Sequence, residues 1–141
     1  MLFVVQIQSI HHVSLNVTDL ERSRAFYREI LGLQEIARPK FNFPGAWFGL
    51  PSGQHLHLIV HDAPNSRNEQ GIDTKSRHFA VRTATFRAAL EYLRAKGYKE
   101  SAGERDPRSM RVQPHATAGF PQIYILDPDG NIIEINAERL D

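Results

Sequence analysis

The chain has 141 residues, and its hydrophobic fraction of 41% and charged fraction of 23% are typical of a soluble globular domain. A formal net charge of +1 gives no reason to expect nucleic acid or an anionic membrane as a partner. Cysteine is absent, which excludes disulfides, thiolate metal sites and thiol nucleophiles. The opening residues lack the basic region and apolar length of a secretory signal or membrane span, so we expect a cytoplasmic protein.

The first half of the chain is predicted to form a strand, a helix and three further strands. Residues 7–17 alternate apolar and polar side chains, which is typical of a strand and puts His12 on its polar face. A capping-box pattern predicts that Thr18 is the N-cap of a helix, with Glu21 reaching back to it, and that Gly32 ends this helix. The following strands are expected at residues 33–38, 46–50 and 54–60.

A polar segment at residues 62–74 has the composition of a linker, and after it the same pattern begins again. Residues 76–83 are predicted to form a strand with His78 on its polar face. Thr83 or Thr85 can cap a second helix, whose apolar side chains recur at helical spacing.

The second half is predicted to close with a hairpin. We expect a short strand near Tyr98 and then a long polar loop over residues 101–118. The hairpin at residues 120–136 turns at the sequence DPDG, residues 127–130, where proline and glycine suit a tight turn. Glu134 lies on the polar face of the last strand, opposite its apolar neighbours.

Corresponding landmarks in the two halves predict an internal repeat. The strand histidines His12 and His78 are 66 residues apart, and the two glycines that end the predicted helices are 65 residues apart. A near-constant offset across a strand and a helix is typical of a duplication. We therefore expect one domain over residues 1–141, made of repeats at about 7–62 and 75–138.

Four motifs resemble the vicinal oxygen chelate superfamily, which includes glyoxalase I, methylmalonyl-CoA epimerase, extradiol dioxygenases and fosfomycin-resistance enzymes. These motifs are HVSLNV at 12–17, TDLERSRAFYREILGL at 18–33, RHFAV at 77–81 and DPDGNIIEI at 127–135. The resemblance extends over nearly the whole chain. It implies an α+β fold in which two βαβββ modules form a curved mixed sheet around a metal cleft.

In that family, metal ligands come from the first and last strands of each module. Position by position, the resemblance implies the ligands His12, His57, His78 and Glu134. Each also lies on the polar face of its own predicted strand. Three imidazoles and one carboxylate suit a divalent ion such as Ni²⁺, Zn²⁺, Co²⁺, Mn²⁺ or Fe²⁺ better than Mg²⁺ or Ca²⁺.

Three further histidines are candidates around this predicted site. His55 has the same strand parity as His57 and is the alternative ligand. His61 has the cleft parity but lies at a strand end, where solvent is expected. His115 lies in the predicted loop, where it could cover the site or remain a loop residue.

The resemblance implies isomerase or lyase chemistry by proton transfer on a small substrate with two neighbouring oxygens. In glyoxalase I relatives the metal stabilises an enediolate, and the glutamate matching Glu134 acts as ligand and base. This chain differs from them at Asn16, where those relatives have an arginine that grips glutathione, and at His57, which replaces a carboxylate. Its residues 115–120 also lack the polar residues of fosfomycin enzymes.

Two alternative functions remain open. His12, His78 and Glu134 could serve an extradiol-type ring-cleaving dioxygenase, for which a fourth ligand at His57 would occupy a position that O₂ needs. A non-catalytic protein that sequesters a ligand, like bleomycin-resistance relatives, would line its cleft with aromatic side chains. The candidates for such a lining are Phe41, Phe43, Trp47 and Phe48.

We expect a small-molecule substrate and a homodimer. The family's sheets are commonly completed or buttressed by a second chain. The apolar run from Leu2 to Val5 could pair with a partner's strand edge. The sequence is compatible with modules that pair within one chain or between two.

Overall fold

The computed structural model describes residues 1, 4–61 and 71–141. The elements in chain order are β1 (His12–Val17), α1 (Leu20–Glu29), β2 (Gln34–Ile36), β3 (Gly45–Gly49), β4 (His55–Val60), β5 (His78–Arg82), α2 (Phe86–Ala95), β6 (Met110–Gln113), β7 (Gln122–Leu126) and β8 (Ile132–Asn136). Predictions for residues 2 and 3 and for linker residues 62–70 lie outside the described residues.

Each half of the chain forms its own four-stranded mixed sheet, which confirms the predicted α+β fold of two βαβββ modules. The strand orders are β1-β4-β3-β2 and β5-β8-β7-β6, and in each sheet only the first pair is parallel. His57 lies opposite Ser14, two residues after His12. Glu134 lies opposite Ala80, two residues after His78. His57 and Glu134 therefore occupy equivalent positions in the two sheets.

Helix α1 begins one residue later than its capping-box pattern predicts. The N-cap is Asp19, whose carboxylate accepts a hydrogen bond from the backbone N–H of Arg22 at 3.0 Å. The prediction that Thr18 is the N-cap is therefore wrong. The Thr18 hydroxyl instead donates a hydrogen bond to Asp129 Oδ1 at 2.6 Å. Glu21 forms an ion pair with Arg24 instead of reaching back.

Both helices end as predicted, and the N-cap of α2 is one of the two predicted threonines. Gly32 and Gly97 have φ angles of 65° and 91°, a conformation that glycine adopts without strain. Thr85 is the N-cap of α2, although its side chain makes no capping hydrogen bond. Neither helix of the described chain has the length and apolar character needed to cross a membrane.

The region after α2 corrects the predicted loop. Strand β6 lies inside residues 101–118 and pairs with β7, with Val112 opposite Ile123. The expected strand near Tyr98 is only a single bridge between Lys99 and Ser109. Four residues of alternation are too few to predict a strand, and β6 is stabilised by its pairing with the buried β7.

The apolar faces of both sheets contribute to one continuous core. Its members include Val17, Phe26, Leu58, Leu93, Ile123 and Ile133. Strand β1 alternates between this core and solvent, with Val17 buried and Asn16 exposed. The polar faces of the two sheets, which carry the candidate ligands, therefore lie on the sides away from this core.

The turn at residues 127–130 joins the second module to the first. Its two carboxylates, Asp127 and Asp129, are buried. Tyr27 of α1 donates its hydroxyl hydrogen to Asp127 Oδ2 at 2.7 Å. Asp129 accepts from the backbone N–H of Thr18 at 3.2 Å, near the positive end of the α1 dipole. A turn predicted only to reverse the chain therefore also positions β8 against the first module.

Candidate metal centre

The first candidate pair, His12 and His57, is formed by the parallel neighbours β1 and β4. The two imidazole rings stack with centroids 4.2 Å apart. Trp47 lies opposite His57 in the β3–β4 register, and its ring stacks on His57 at 4.1 Å with an interplanar angle of 4°. These contacts leave the His57 side chain buried, and they fix the plane of its ring.

The electrostatic surroundings of His57 keep it neutral. Burial, followed by the electrostatic influence of His12, of the two other nearby histidines and of Arg38, lowers the pKa of His57 to about 4. A neutral imidazole has the free nitrogen lone pair that a metal requires. His57 is therefore in the ligand form at neutral pH without first losing a proton.

Two further histidines extend this pair into a cluster of four imidazoles. His11 and His12 place their Nδ1 atoms 2.8 Å apart. His55 Nδ1 lies 3.4 Å from His57 Nε2, so the alternative ligand is in contact with the preferred one. The register separates the two roles, because His55 pairs with His12 whereas His57 takes the position equivalent to Glu134.

The second candidate pair, His78 and Glu134, is formed by the parallel neighbours β5 and β8. His78 Nε2 lies 3.7 Å from Glu134 Oε2. His78 Nδ1 is 2.7 Å from the carbonyl oxygen of Ser76, which can only accept a hydrogen bond. Nδ1 therefore carries a proton, and in neutral His78 the lone pair is on Nε2, the atom that faces Glu134.

Glu134 combines a buried carboxylate with an oxygen that has no hydrogen-bond partner among the described residues. It is only 5% exposed, although a buried carboxylate normally requires partners. Its Oε1 is buried and has no hydrogen-bond partner among the described residues. A buried acceptor in this state costs about 1 to 3 kcal/mol, which a cation bound to it would offset. This oxygen and the imidazole lone pairs fit the donor set of a divalent transition metal.

Tyr124 is a site residue that the sequence analysis missed. It lies directly opposite Glu134 in the β7–β8 register, and its ring forms a T-shaped pair with His78 at a centroid distance of 5.7 Å. Burial raises the pKa of Tyr124, and the charge of Glu134 raises it further. The sequence carried no clear signal for this pairing, because a turn confined to residues 127–130 would place Tyr124 opposite Ile133, whereas the observed register pairs Leu126 with Ile132 and so brings Tyr124 opposite Glu134.

The structure brings the four predicted ligands together as two pairs. Within the ranges 4–61 and 71–141, no group of three or more His, Asp or Glu side chains is placed to hold one metal ion. One member of each pair borders a common space, since His12 and His78 line a cavity of about 550 Å³ between the two modules, together with His55. His57 and Glu134 do not line this cavity. The chain therefore presents two half-sites on separate sheets.

The remaining candidates are divided between the surface and the core. His61, directly after β4, and His115 are exposed. Phe41 and Phe43 stack on each other at 5.1 Å beneath the Arg38 guanidinium. Phe48 is fully buried in the core, so it does not line a cleft. Of the four aromatic candidates, Trp47 alone lies against a predicted ligand within the described chain.

Comparison with known proteins gives consistent matches over most of the chain. The family model described as "Glyoxalase/Bleomycin resistance protein/Dioxygenase superfamily" matches residues 9–135. "Glyoxylase I 4" of Arabidopsis thaliana is 28% identical over 93% of this chain and 71% of the relative. A "2-epi-5-epi-valiolone epimerase" of Actinomyces sp is 26% identical over 90% of this chain and 78% of the relative.

A solved structure matches the fold. The crystal structure of a glyoxalase family protein from Bacillus anthracis superposes with a TM-score of 0.74 and 26% sequence identity. The match covers 96% of this chain and 98% of that one. The arrangement of both modules is therefore shared with this structure.

Proposed function

Because the chain belongs to the Glyoxalase/Bleomycin resistance protein/Dioxygenase superfamily, we propose that it is a divalent-metal-dependent enzyme of the glyoxalase I-like type. It would catalyse isomerase or lyase chemistry by moving a proton on a small substrate that offers two neighbouring oxygens. The observation that carries this proposal is Glu134, a buried carboxylate with one oxygen unpartnered among the described residues, beside His78.

The residues that would hold the metal are His12, His57, His78 and Glu134. The bound ion would polarise the substrate oxygens and so acidify the neighbouring C–H group. His78 is oriented for this by its hydrogen bond to the Ser76 carbonyl, and His57 by stacking on Trp47. Both imidazoles are thus fixed before any ligand arrives.

Glu134 would accept the substrate proton and return it to a neighbouring atom. Its Oε1 makes no hydrogen bond in the described chain, so it would be available as a base when the substrate displaces it from the metal. Tyr124 is protonated at neutral pH, and burial and the charge of Glu134 move its pKa still farther above that range. Its hydroxyl group can therefore remain a donor toward the carboxylate while Glu134 gains and loses the proton.

We also propose that the protein is a homodimer in which each complete site joins the two half-sites. This accounts for four candidate ligands that form two pairs in one chain without a three-donor group among the described residues. It also gives a role to the exposed apolar residues that precede β1. These are Val4, Val5, Ile7 and Ile10, which are 71% to 82% exposed.

The test is metal analysis of protein purified without chelator, followed by proton exchange with candidate substrates. We expect bound divalent metal near one equivalent per chain. In D₂O we expect metal-dependent incorporation of deuterium into the C–H group of an α-hydroxycarbonyl substrate, such as the hemithioacetal of methylglyoxal and a thiol. Exchange that survives complete removal of the metal would contradict the proposal.

A further inference from the structure

The sheet face that carries His78 and Glu134 also carries an arginine. Arg82 ends β5 with the same parity as His78, and it lies opposite Asn136 in the β5–β8 register. Asn136 is two residues beyond Glu134, so Arg82 lies about 7 Å farther along the strands than the candidate base. Arg82 also lines the cavity of about 550 Å³ that His12, His55 and His78 border.

The guanidinium of Arg82 is held from two directions. Its Nε donates to Asn136 Oδ1 at 2.6 Å, and Asn136 is only 6% exposed. The ring of Phe120 lies 5.2 Å from the guanidinium carbon. These contacts occupy the Nε atom and one face of the planar guanidinium. They leave the two terminal amino groups available for another partner.

Among the described residues, Arg82 has no acidic partner of the kind that Arg22, Arg24, Arg28 and Arg94 have. Arg24 pairs with Glu21 and Glu35, and Arg94 pairs with Glu100. Between residues 71 and 141 and in the described part of the first module, no carboxylate lies within 4.0 Å of the Arg82 guanidinium. An arginine fixed in orientation but not neutralised is suited to bind a planar anion through two parallel hydrogen bonds.

We propose that Arg82 forms an anion subsite of the candidate active site, and that the substrate carries a carboxylate at its end remote from the reacting oxygens. This inference rests on the proposed function, because the spacing is counted from Glu134. The substrate class is then a small hydroxy or oxo acid. Its two vicinal oxygens face the His78–Glu134 pair, and its distal carboxylate reaches the Arg82 amino groups.

The alternative is that Arg82 has only a structural role, as a hydrogen-bond donor to the Asn136 side chain. Under that alternative a distal carboxylate gains nothing, because the guanidinium would be a structural group. The two possibilities differ in what a ligand's far end contributes to binding. They can therefore be separated with two probes that differ only at that end.

The experiment compares 2-hydroxyadipate with 2-hydroxyhexanoate by titration calorimetry on the Mn²⁺-loaded protein. Both have the same chain length and the same pair of vicinal oxygens, and only the first has a distal carboxylate. We expect the wild-type protein to prefer 2-hydroxyadipate by about 10- to 100-fold, the range of charge-assisted hydrogen bonds. Arg82→Gln should abolish most of this preference and leave binding of 2-hydroxyhexanoate unchanged.

Two further variants complete the design. Arg28→Gln removes the same charge from an exposed position on α1 and should retain the full preference. Arg82→Lys keeps a charge but loses the planar pair of donors, so it should show an intermediate preference and serves if the glutamine variant does not fold. A wild-type protein with no preference, or an undiminished preference in both Arg82 variants, would overturn the proposal.

The Mn²⁺ titration without organic ligand separates this inference from the proposed function. Failure to bind Mn²⁺ would count against the metal-dependent function. In that case the preference for 2-hydroxyadipate over 2-hydroxyhexanoate, measured on the protein without metal, would still report on Arg82. Normal Mn²⁺ binding without any preference would overturn the anion subsite alone.

Discussion

At the scale of single residues, the two equivalent positions His57 and Glu134 have unequal chemistry. His57 is a neutral imidazole between two rings, with a pKa lowered to about 4. Glu134 is a buried carboxylate with an unpartnered oxygen among the described residues. An imidazole fixed by stacking suits a ligand, whereas a carboxylate can act as ligand and base.

This difference predicts that Glu134→Gln costs more activity than His57→Gln. Glutamine keeps the shape of glutamate but cannot accept a proton at neutral pH, so we expect a loss of about 10² to 10⁴ in turnover at saturating metal. His57→Gln should mainly weaken metal binding, and excess metal should restore much of its activity. Turnover and bound metal are measured for both variants, and equal losses would refute the role assigned to Glu134.

Strand parity predicted the polar faces of the candidate site and the family resemblance selected the four candidate ligands on them, but neither predicted the neighbours of these ligands. Alternation identified the polar faces that carry His12, His57, His78 and Glu134. Trp47 and Tyr124 belong to the site through cross-strand pairing, which requires the register of each hairpin. The burial of Glu134, and the lack of a partner for its Oε1 among the described residues, depend on how the sheets pack, which one sequence does not reveal.

At the scale of elements, prediction succeeded where a periodic signal was long. Helices α1 and α2 and the strands that carry the candidate ligands were found at or near their positions. Strand β6 was missed because four residues carry little alternation and tertiary pairing stabilises them. Thr18 was misassigned as a cap because the capping-box pattern does not report a distant carboxylate such as Asp129.

The contact between the 127–130 turn and α1 predicts an alkaline loss of stability. Burial, and then the charge of Asp127, raises the pKa of Tyr27 well above its usual value. A raised pKa means that the folded state holds the proton more tightly than the unfolded state. The contribution of Tyr27 to the free energy of unfolding is therefore complete below about pH 10 and is lost as the pH rises above it.

Tyr27→Phe should lower the free energy of unfolding by about 1 to 3 kcal/mol at pH 8, because Asp127 loses a donor. The substitution should also reduce the decrease in the free energy of unfolding between pH 8 and pH 11. Tyr98→Phe is the matched comparison, because burial raises the pKa of Tyr98 while Arg108 opposes the rise. Urea unfolding at both pH values measures the effect, and an unchanged pH slope in Tyr27→Phe would contradict it.

At the scale of the whole molecule, the two half-sites predict complementation between defective chains. If each site combines the first module of one chain with the second module of another, a heterodimer of His12→Ala and Glu134→Ala chains has one intact site. Random pairing of the two variants should then recover about one quarter of wild-type activity. Co-expressed or co-refolded mixtures are assayed against each variant alone.

A matched control removes two groups from the same half-site. At limiting metal, a mixture of His12→Ala and His57→Ala chains should be no more active than its components, because no pairing yields an intact first half. If the His12→Ala and Glu134→Ala mixture also stays inactive while a dimer forms, the sites lie within single chains.

The buried carboxylates of the 127–130 turn also bear on how the two modules are held together. Tyr27, Thr18 and the shared core join the modules through noncovalent contacts among residues 4–61 and 71–141. A covalent connection favours such contacts by raising the effective concentration of one module in the presence of the other. By this reasoning the molecule is a tethered complex of two βαβββ units, and variation in the length of the tether would change their encounter more than their final contacts.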